Sequence, residues 1–222
     1  MKNKNYSARR QPKDCWNARL LQNAEYSSKW EFPLFPCTQA VPSTLKSFRY
    51  VNPNTKDSNW IHFYGFDEYL ENVWKNPELW ANNLKRFAGI ISPDLSIYQD
   101  MPLAQQISNV YRNRVLAHWF AQQGIPVIPN IRYSDQRSYD FAFEGIEKNA
   151  TVCVSTSGLL ANNEDREMFC SGFDAMTETL NPKTVLIYGS ALNHICERCN
   201  DKHIRLIQYD TDTQNAHQRS DC

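Results

Sequence analysis

From Trp60 onward the chain alternates short apolar runs with longer stretches of helical period. The runs are "WIHFYG", "GIISPD", "IPVIPNIRY", "TVCVSTSG", "TVLIYGS" and "IRLIQYD". Between them, apolar residues recur every third or fourth position over 67–87, 101–123, 135–145, 164–180 and 190–201, which predicts helices. Runs that stay apolar throughout suit strands buried on both faces, and their alternation with helices signals a parallel sheet covered by helices. The expected fold is α/β, a mostly parallel sheet of about six strands with flanking helices. Both a barrel-like closure and an open doubly wound sheet fit this pattern. Polar residues at most strand ends, able to converge on one mouth, favour the barrel.

Upstream, the texture differs. Pro33, Pro36, Pro42 and Pro53 break residues 15–59 into short extended pieces, read as an irregular segment covering a core domain at 60–210. Residues 1–14 are polar and basic and read as a flexible arm; 211–222, "TDTQNAHQRSDC", read as a disordered tail. Within the first helical stretch, Asn76-Pro77-Glu78 carries a restart signal, a cap followed by proline in the first turn.

Composition narrows the function classes. Lysine plus arginine and aspartate plus glutamate number 24 each, so bulk charge does not advertise nucleic acid or an anionic membrane. No apolar run is long enough to span a bilayer, and no apolar segment follows the basic start as in a secretory signal. The seven cysteines are scattered and odd in number, as expected of reduced thiols in a cytoplasmic protein.

Arg114 interrupts an otherwise apolar stripe. At 100° per residue, Leu103, Ile107, Val110, Arg114, Ala117 and Ala121 share one helical face. A buried guanidinium needs a carboxylate or several carbonyls. Ligands of parallel α/β folds bind where strands end and helices begin. Arg114 lies about 13 residues past Met101, roughly 20 Å along the axis, beyond the reach of its side chain. The expectation is a scaffold role, with Arg114 buried and paired with an acidic side chain or backbone carbonyls so that it clamps helix to sheet. Arg112 faces the other way as a solvated or interface residue, while Gln105 and Asn109, nearer the helix start, could line a mouth.

Candidate chemistry sits at the strand ends. Asp94, after "GIISP", suits a general base, a metal or a ligand hydroxyl, or else a loop turn or arginine partner. Asp100 is expected to cap the next helix. Asn130 and Arg132 close "IPNIRYSD", and Arg132 offers a guanidinium fork to phosphate or carboxylate, or a salt bridge to Asp94, Asp135 or Glu144. In Ser155-Thr156-Ser157-Gly158, small residues would let backbone N–H groups approach a ligand, though generic turns look the same. Gly189 permits a tight turn that places Ser190 to cap a helix, which is anion-binding geometry or an ordinary αβ turn. "HICERCNDKH" invites zinc on His194, Cys196, Cys199 and His203. But Leu192, Ile195, Cys196 and Cys199 make a buried helical stripe in which cysteine acts as a small hydrophobe, so no metal is expected.

The segments "HFYGFDEYLENVWKNPE", "ISPDLSIYQDMPLAQQISNVYRNR", "IPVIPNIRYSD" and "NPKTVLIYGS" resemble a family known only as domain of unknown function 4417, over about 14–210. The resemblance implies a setting in phages, plasmids or integrated mobile elements, largely of Firmicutes. It supplies no catalytic residue, and no cofactor can be named. Three functions remain open. One is a protein that binds, or binds and processes, an anionic small molecule such as a nucleotide or sugar phosphate. Another is a non-catalytic module engaging a host or defence protein. The third is a DNA-transaction accessory, its phosphates met by Lys2, Lys4, Arg9, Arg10 and Lys13, which neutral charge disfavours.

Overall fold

Each of the six apolar runs forms a strand, and a seventh strand precedes them. In the computed structural model, which describes residues 14–220 apart from 53, 55, 56, 160 and 161, the strands are β1 (Leu45–Ser47), β2 (Trp60–His62), β3 (Gly89–Ile91), β4 (Val127–Ile128), β5 (Thr151–Ser155), β6 (Thr184–Tyr188) and β7 (Arg205–Tyr209). All pairings between them are parallel, in a ladder β1-β2-β3-β4 and a ladder β5-β6-β7. A parallel bridge between Asn130 and Cys153 joins the two, with backbone bonds of 2.8 Å from Ile131 N to Cys153 O and 2.9 Å from Cys153 N to Pro129 O. Strand order thus follows chain order throughout, without the reversal that defines a doubly wound sheet.

The sheet curls into an incomplete barrel. Rings of His62 on β2 and Tyr188 on β6 stand 4.3 Å apart. In a flat sheet, strands four places apart would be separated by roughly 19 Å. Trp60, Ile91, Ile128, Cys153 and Leu186, with Leu45, Ile207 and Tyr209 against them, fill the interior as one cluster to which every strand contributes. Between β7 and β1, the phenol of Tyr209 donates to Pro42 O at 2.6 Å. β1 lies inside the stretch expected as irregular cover. Its sequence, Leu-Lys-Ser between prolines, carries no strand period, and its pairing with β2 defines it.

The helices are α1 (Asp67–Lys75), α2 (Pro77–Leu84), α3 (Leu103–Gln122), α4 (Tyr139–Ala142), α5 (Asn163–Leu180), α6 (Asn193–Asp201) and α7 (Asp212–Ser220). The 67–87 stretch splits where predicted: Asn76 leaves helical geometry (φ −132°, ψ 51°) and Pro77 starts α2. Two expectations are corrected. Asp100 does not cap α3; Pro102 holds the cap position, and its carbonyl accepts from Gln105 N and Gln106 N. Proline disfavours helical geometry in the residue before it, so the helix cannot start earlier. The supposed tail is helical from Asp212, because its polar first turn docks on the barrel: Asp212 N donates to the Tyr188 hydroxyl at 2.9 Å, and Gln214 Nε2 to Ser190 Oγ at 3.2 Å. The basic arm lies outside the described residues.

Arg114 is 2% exposed, and its Nη2 donates to Ala142 O at 2.8 Å, tying α3 to α4. Of the two kinds of partner expected, the carbonyl is the one found: among the described residues no carboxylate pairs with it, and Nε has no hydrogen-bond partner. The reason lies opposite it, where the C-terminal turn of α4 presents a carbonyl. Burial pushes the Arg114 pKa down to about 10. Arg112 bonds Glu71 at 2.6 Å and lies over the Trp74 ring, clamping α3 to α1.

Candidate functional site at the mouth of the barrel

A polar chain crosses the ends of β2 to β5. Asp94 is 5% exposed; its Oδ1 accepts from Asn130 Nδ2 at 2.6 Å and its Oδ2 from Arg132 Nη1 at 3.4 Å. Asn130 Oδ1 accepts from the phenol of Tyr64 at 3.0 Å, and that phenol also lies 3.0 Å from Cys153 Sγ. Burial pushes the Asp94 carboxyl above its ordinary range, while the charge of Arg132 and the Asn130 amide pull it back. Cys153 is pushed up to about 12 by burial, so its thiol stays protonated at neutral pH.

Several polar residues hold this chain in place. Asn113 Oδ1 accepts from Leu95 N at 2.9 Å while its Nδ2 donates to Leu95 O at 3.2 Å, and Asn109 donates to Ser96 O at 2.7 Å. Two asparagines of α3 thereby fix the loop that follows Asp94. Ser92 Oγ accepts from Asn130 N at 2.8 Å. Asn109 supports the mouth from behind and does not line it, while Gln105 donates to the Asn109 side chain.

On the β6 side the mouth is aromatic. Tyr64 stacks on Tyr188 at 4.8 Å, and His62, fully buried, packs against both. His62 Nδ1 accepts from Tyr64 N at 3.3 Å, and Nε2 stands 3.9 Å from Asp212 Oδ1. The His62 ring holds the Asp212 carboxyl below the ordinary value. The sequence reading missed His62, Tyr64, Tyr188 and Asp212. Trp60, His62 and Tyr64 alternate along one strand, the one signal that could have placed them together at its end.

The remaining candidates form the junction between β5 and β6. Ser155 Oγ donates to Tyr188 O at 3.3 Å and Thr156 Oγ1 to Ser190 O at 3.0 Å, while Ser157 N donates to Ser155 Oγ at 3.2 Å. Thr156 N, at 3.0 Å from Tyr188 O, and Ser157 N are thus engaged within the junction. Gly189 (φ +112°) is required there, since a Cβ would stand 2.5 Å from Thr156 Oγ1. Ser190 does not cap α6, whose cap position is Leu192 without a side-chain bond. The helix start falls later because residues 189–192 first cross to the β7 side, where Gly189 N donates to Tyr209 O at 2.8 Å.

Beside the polar chain lies a cavity of about 300 Å³. Tyr98, Tyr133, Leu159 and Phe169 wall it, Gly158 reaches its edge, and Asp100 and Asp165 stand among its lining residues. Arg132 adjoins it, its guanidinium 5.9 Å from the Tyr98 ring. Its side chain is 14% exposed, and Nε has no hydrogen-bond partner among the described residues.

The family described as Domain of unknown function (DUF4417) matches residues 24–210. The chain belongs to this family. Similar proteins include the Gene 1 protein of Mycobacterium phage L5, 32% identical over 191 residues that cover 85% of this chain and 80% of the phage protein. The Gene 1 protein of Mycobacterium phage D29 is 31% identical over 166 residues, covering 73% of this chain and 62% of that protein. No solved structure matches. In this DUF4417 member the matched region holds all seven strands and the polar chain, and ends before α7. None of its described helices is long and apolar enough to cross a membrane. In α6, Ile195 and Cys199 are buried while Leu192 and Cys196 are half-buried, and His194 turns to Asp174 at 3.0 Å.

Proposed function

We propose that this protein binds an anionic small molecule at the strand ends, a nucleotide or sugar phosphate, with Arg132 meeting the anionic group and Asp94 able to accept a proton or a hydroxyl bond. The observation that carries the reading is Arg132 itself. It is shielded at the mouth and bound to Asp94 by one long contact, with donors left over beside an aromatic-walled cavity. A guanidinium in that state is matched by phosphate or carboxylate oxygens. The cavity volume suits one nucleoside-sized group between Tyr98 and Tyr133. Asp100 and Asp165 would accept from hydroxyl or amino groups and repel added phosphates, so a monophosphate fits better than a triphosphate. Asn130 orients the Asp94 carboxylate, while Ser155 to Gly158, Gly189 and Ser190 shape the rim.

The test is a thermal-shift panel of nucleoside monophosphates, triphosphates and sugar phosphates against the parent and Arg132→Ala. Stabilisation by a monophosphate that Arg132→Ala abolishes supports the reading; a panel without any stabilisation contradicts it. A second reading, a module that engages a host or defence protein, draws on Tyr50, Phe66 and Tyr69. These are 60%, 71% and 37% exposed, and Phe66 and Tyr69 lie 6.3 Å apart.

A further inference from the structure

A second cleft, of about 700 Å³, opens where α3 ends and the chain approaches β5, toward the end of the barrel where strands begin. Residues 23–36 form one wall; the last turns of α3 and residues 144–147 form the other. Glu25, Glu144 and Glu147 line it, and its described lining includes no lysine or arginine. A group of acidic residues alone carries little weight. The independent sign is His118, 5% exposed and part of the same wall. Its Nδ1 lies 2.7 Å from Leu34 O. A carbonyl can only accept, so Nδ1 carries a proton, and with no second proton on the ring Nε2 is an acceptor. That Nε2 is shielded and has no partner among the described residues.

The cleft is therefore rich in acceptors. Glu144 commits Oε1 to the backbone N–H groups of Lys29 and Trp30, at 2.8 and 3.0 Å. Glu147 Oε1 receives Cys37 N at 3.4 Å. A metal ion would need its donors drawn in to about 2.0–2.6 Å. Among the described residues no three histidine, cysteine or acidic side chains are grouped to hold one. Acceptors spread over a wider cleft match the several N–H groups of an organic cation. Arg114, one turn before His118, is turned to Ala142 O and adds one positive charge against three carboxylates.

We infer that this cleft binds a compact organic cation, a guanidinium or primary ammonium group, between Glu144, Glu147 and His118. The site is independent of the mouth and of the function proposed for it. The same group could come as a free metabolite or as a side chain on a peptide. The test titrates the full chain with agmatine, with the peptide Gly-Arg-Gly-amide and with glutarate as an anionic control, following the Gly145 amide and the His118 ring by NMR. Saturable shifts at both positions with a cation, none with glutarate, and affinity about tenfold weaker in Glu144→Gln/Glu147→Gln are expected. Because Glu144 also holds two backbone amides, Glu25→Gln/Glu147→Gln provides a second variant, with a smaller loss. Tighter binding of agmatine assigns the site to a free metabolite, and tighter binding of the peptide to a side chain. No saturation at millimolar cation, an equal response to glutarate, or shifts that leave His118 unmoved would overturn the inference.

Discussion

Arg114 and Arg132 are both shielded from water, and their surroundings differ in kind. Arg114 ties α3 to α4 through one bond to the Ala142 carbonyl. Arg132 stands at the strand ends beside a buried carboxylate, a phenol chain and a cavity. In the first region neither Arg114 nor Ala142 lines the mouth cavity. In the second the guanidinium adjoins the ring of Tyr98, which walls a cavity of about 300 Å³. Burial of a charge thus marks a function only where the surrounding polar groups converge on accessible volume.

The largest effect is expected at Arg114. Arg114→Ala leaves a cavity and an unbonded Ala142 carbonyl, and should destabilise by about 2–5 kcal/mol in urea unfolding. Arg114→Met fills the space but leaves the same carbonyl unbonded, and should recover part of the loss, ending about 1–3 kcal/mol below the parent. A methionine variant as unstable as the alanine one would show that the guanidinium itself is needed.

Next comes the wall of the mouth cavity. A Cβ on Gly172 would stand 2.2 Å from the ring of Tyr133, which bonds Phe169 O at 3.0 Å and walls the mouth cavity. Gly172→Ala should cost about 1–3 kcal/mol by overpacking. It should also perturb ligand binding, which calorimetry on the folded variant would read. Unchanged stability would mean that Tyr133 moves freely.

At Arg132 the expected effect is smaller and depends on pH. Asp94 titrates above its ordinary 3.8 in the folded protein, and Arg132 opposes that rise. A raised folded pKa contributes stability that is full below the unfolded value and lost as pH rises through the folded one. Arg132→Ala raises it further, so the variant should match the parent below about pH 4 and fall behind toward neutrality. Melting curves across that range check this, and Asp94→Asn in the same background should remove the difference. A pH-independent deficit would make Arg132 simple packing.

The smallest effect is an absence. With Cys153 at about 12 and Cys37 at about 11, both pushed up by burial, neither thiol should react with iodoacetamide at neutral pH, whereas exposed Cys15 should. Fast modification of Cys153, read by mass spectrometry, would mean that the polar chain opens to solvent.

What was legible in the sequence follows the same division. Burial on both faces forces apolar runs, so β2 to β7 could be read, whereas β1 has a lysine at its centre and is defined by its neighbour. Asp94, Asn130 and Arg132 were visible because a polar residue just after a buried run has few other places to go. His62 and Tyr64 were hidden because aromatic residues inside a run look like core, and Asp212 because a polar segment looks unfolded until the surface it docks on is known. Arg114 and Arg132 look alike as letters; their partners, a helix-end carbonyl and a strand-end carboxylate, are set by tertiary structure alone.

The most direct test measures both properties on both arginines: the unfolding free energy and the affinity for the best monophosphate of the panel, for the parent, Arg132→Ala and Arg114→Met. The account predicts that Arg132→Ala weakens binding about tenfold or more while its stability at pH 5 stays within about 1 kcal/mol of the parent, and that Arg114→Met binds like the parent. Undiminished binding by Arg132→Ala, or equal loss of binding in both variants, would contradict it.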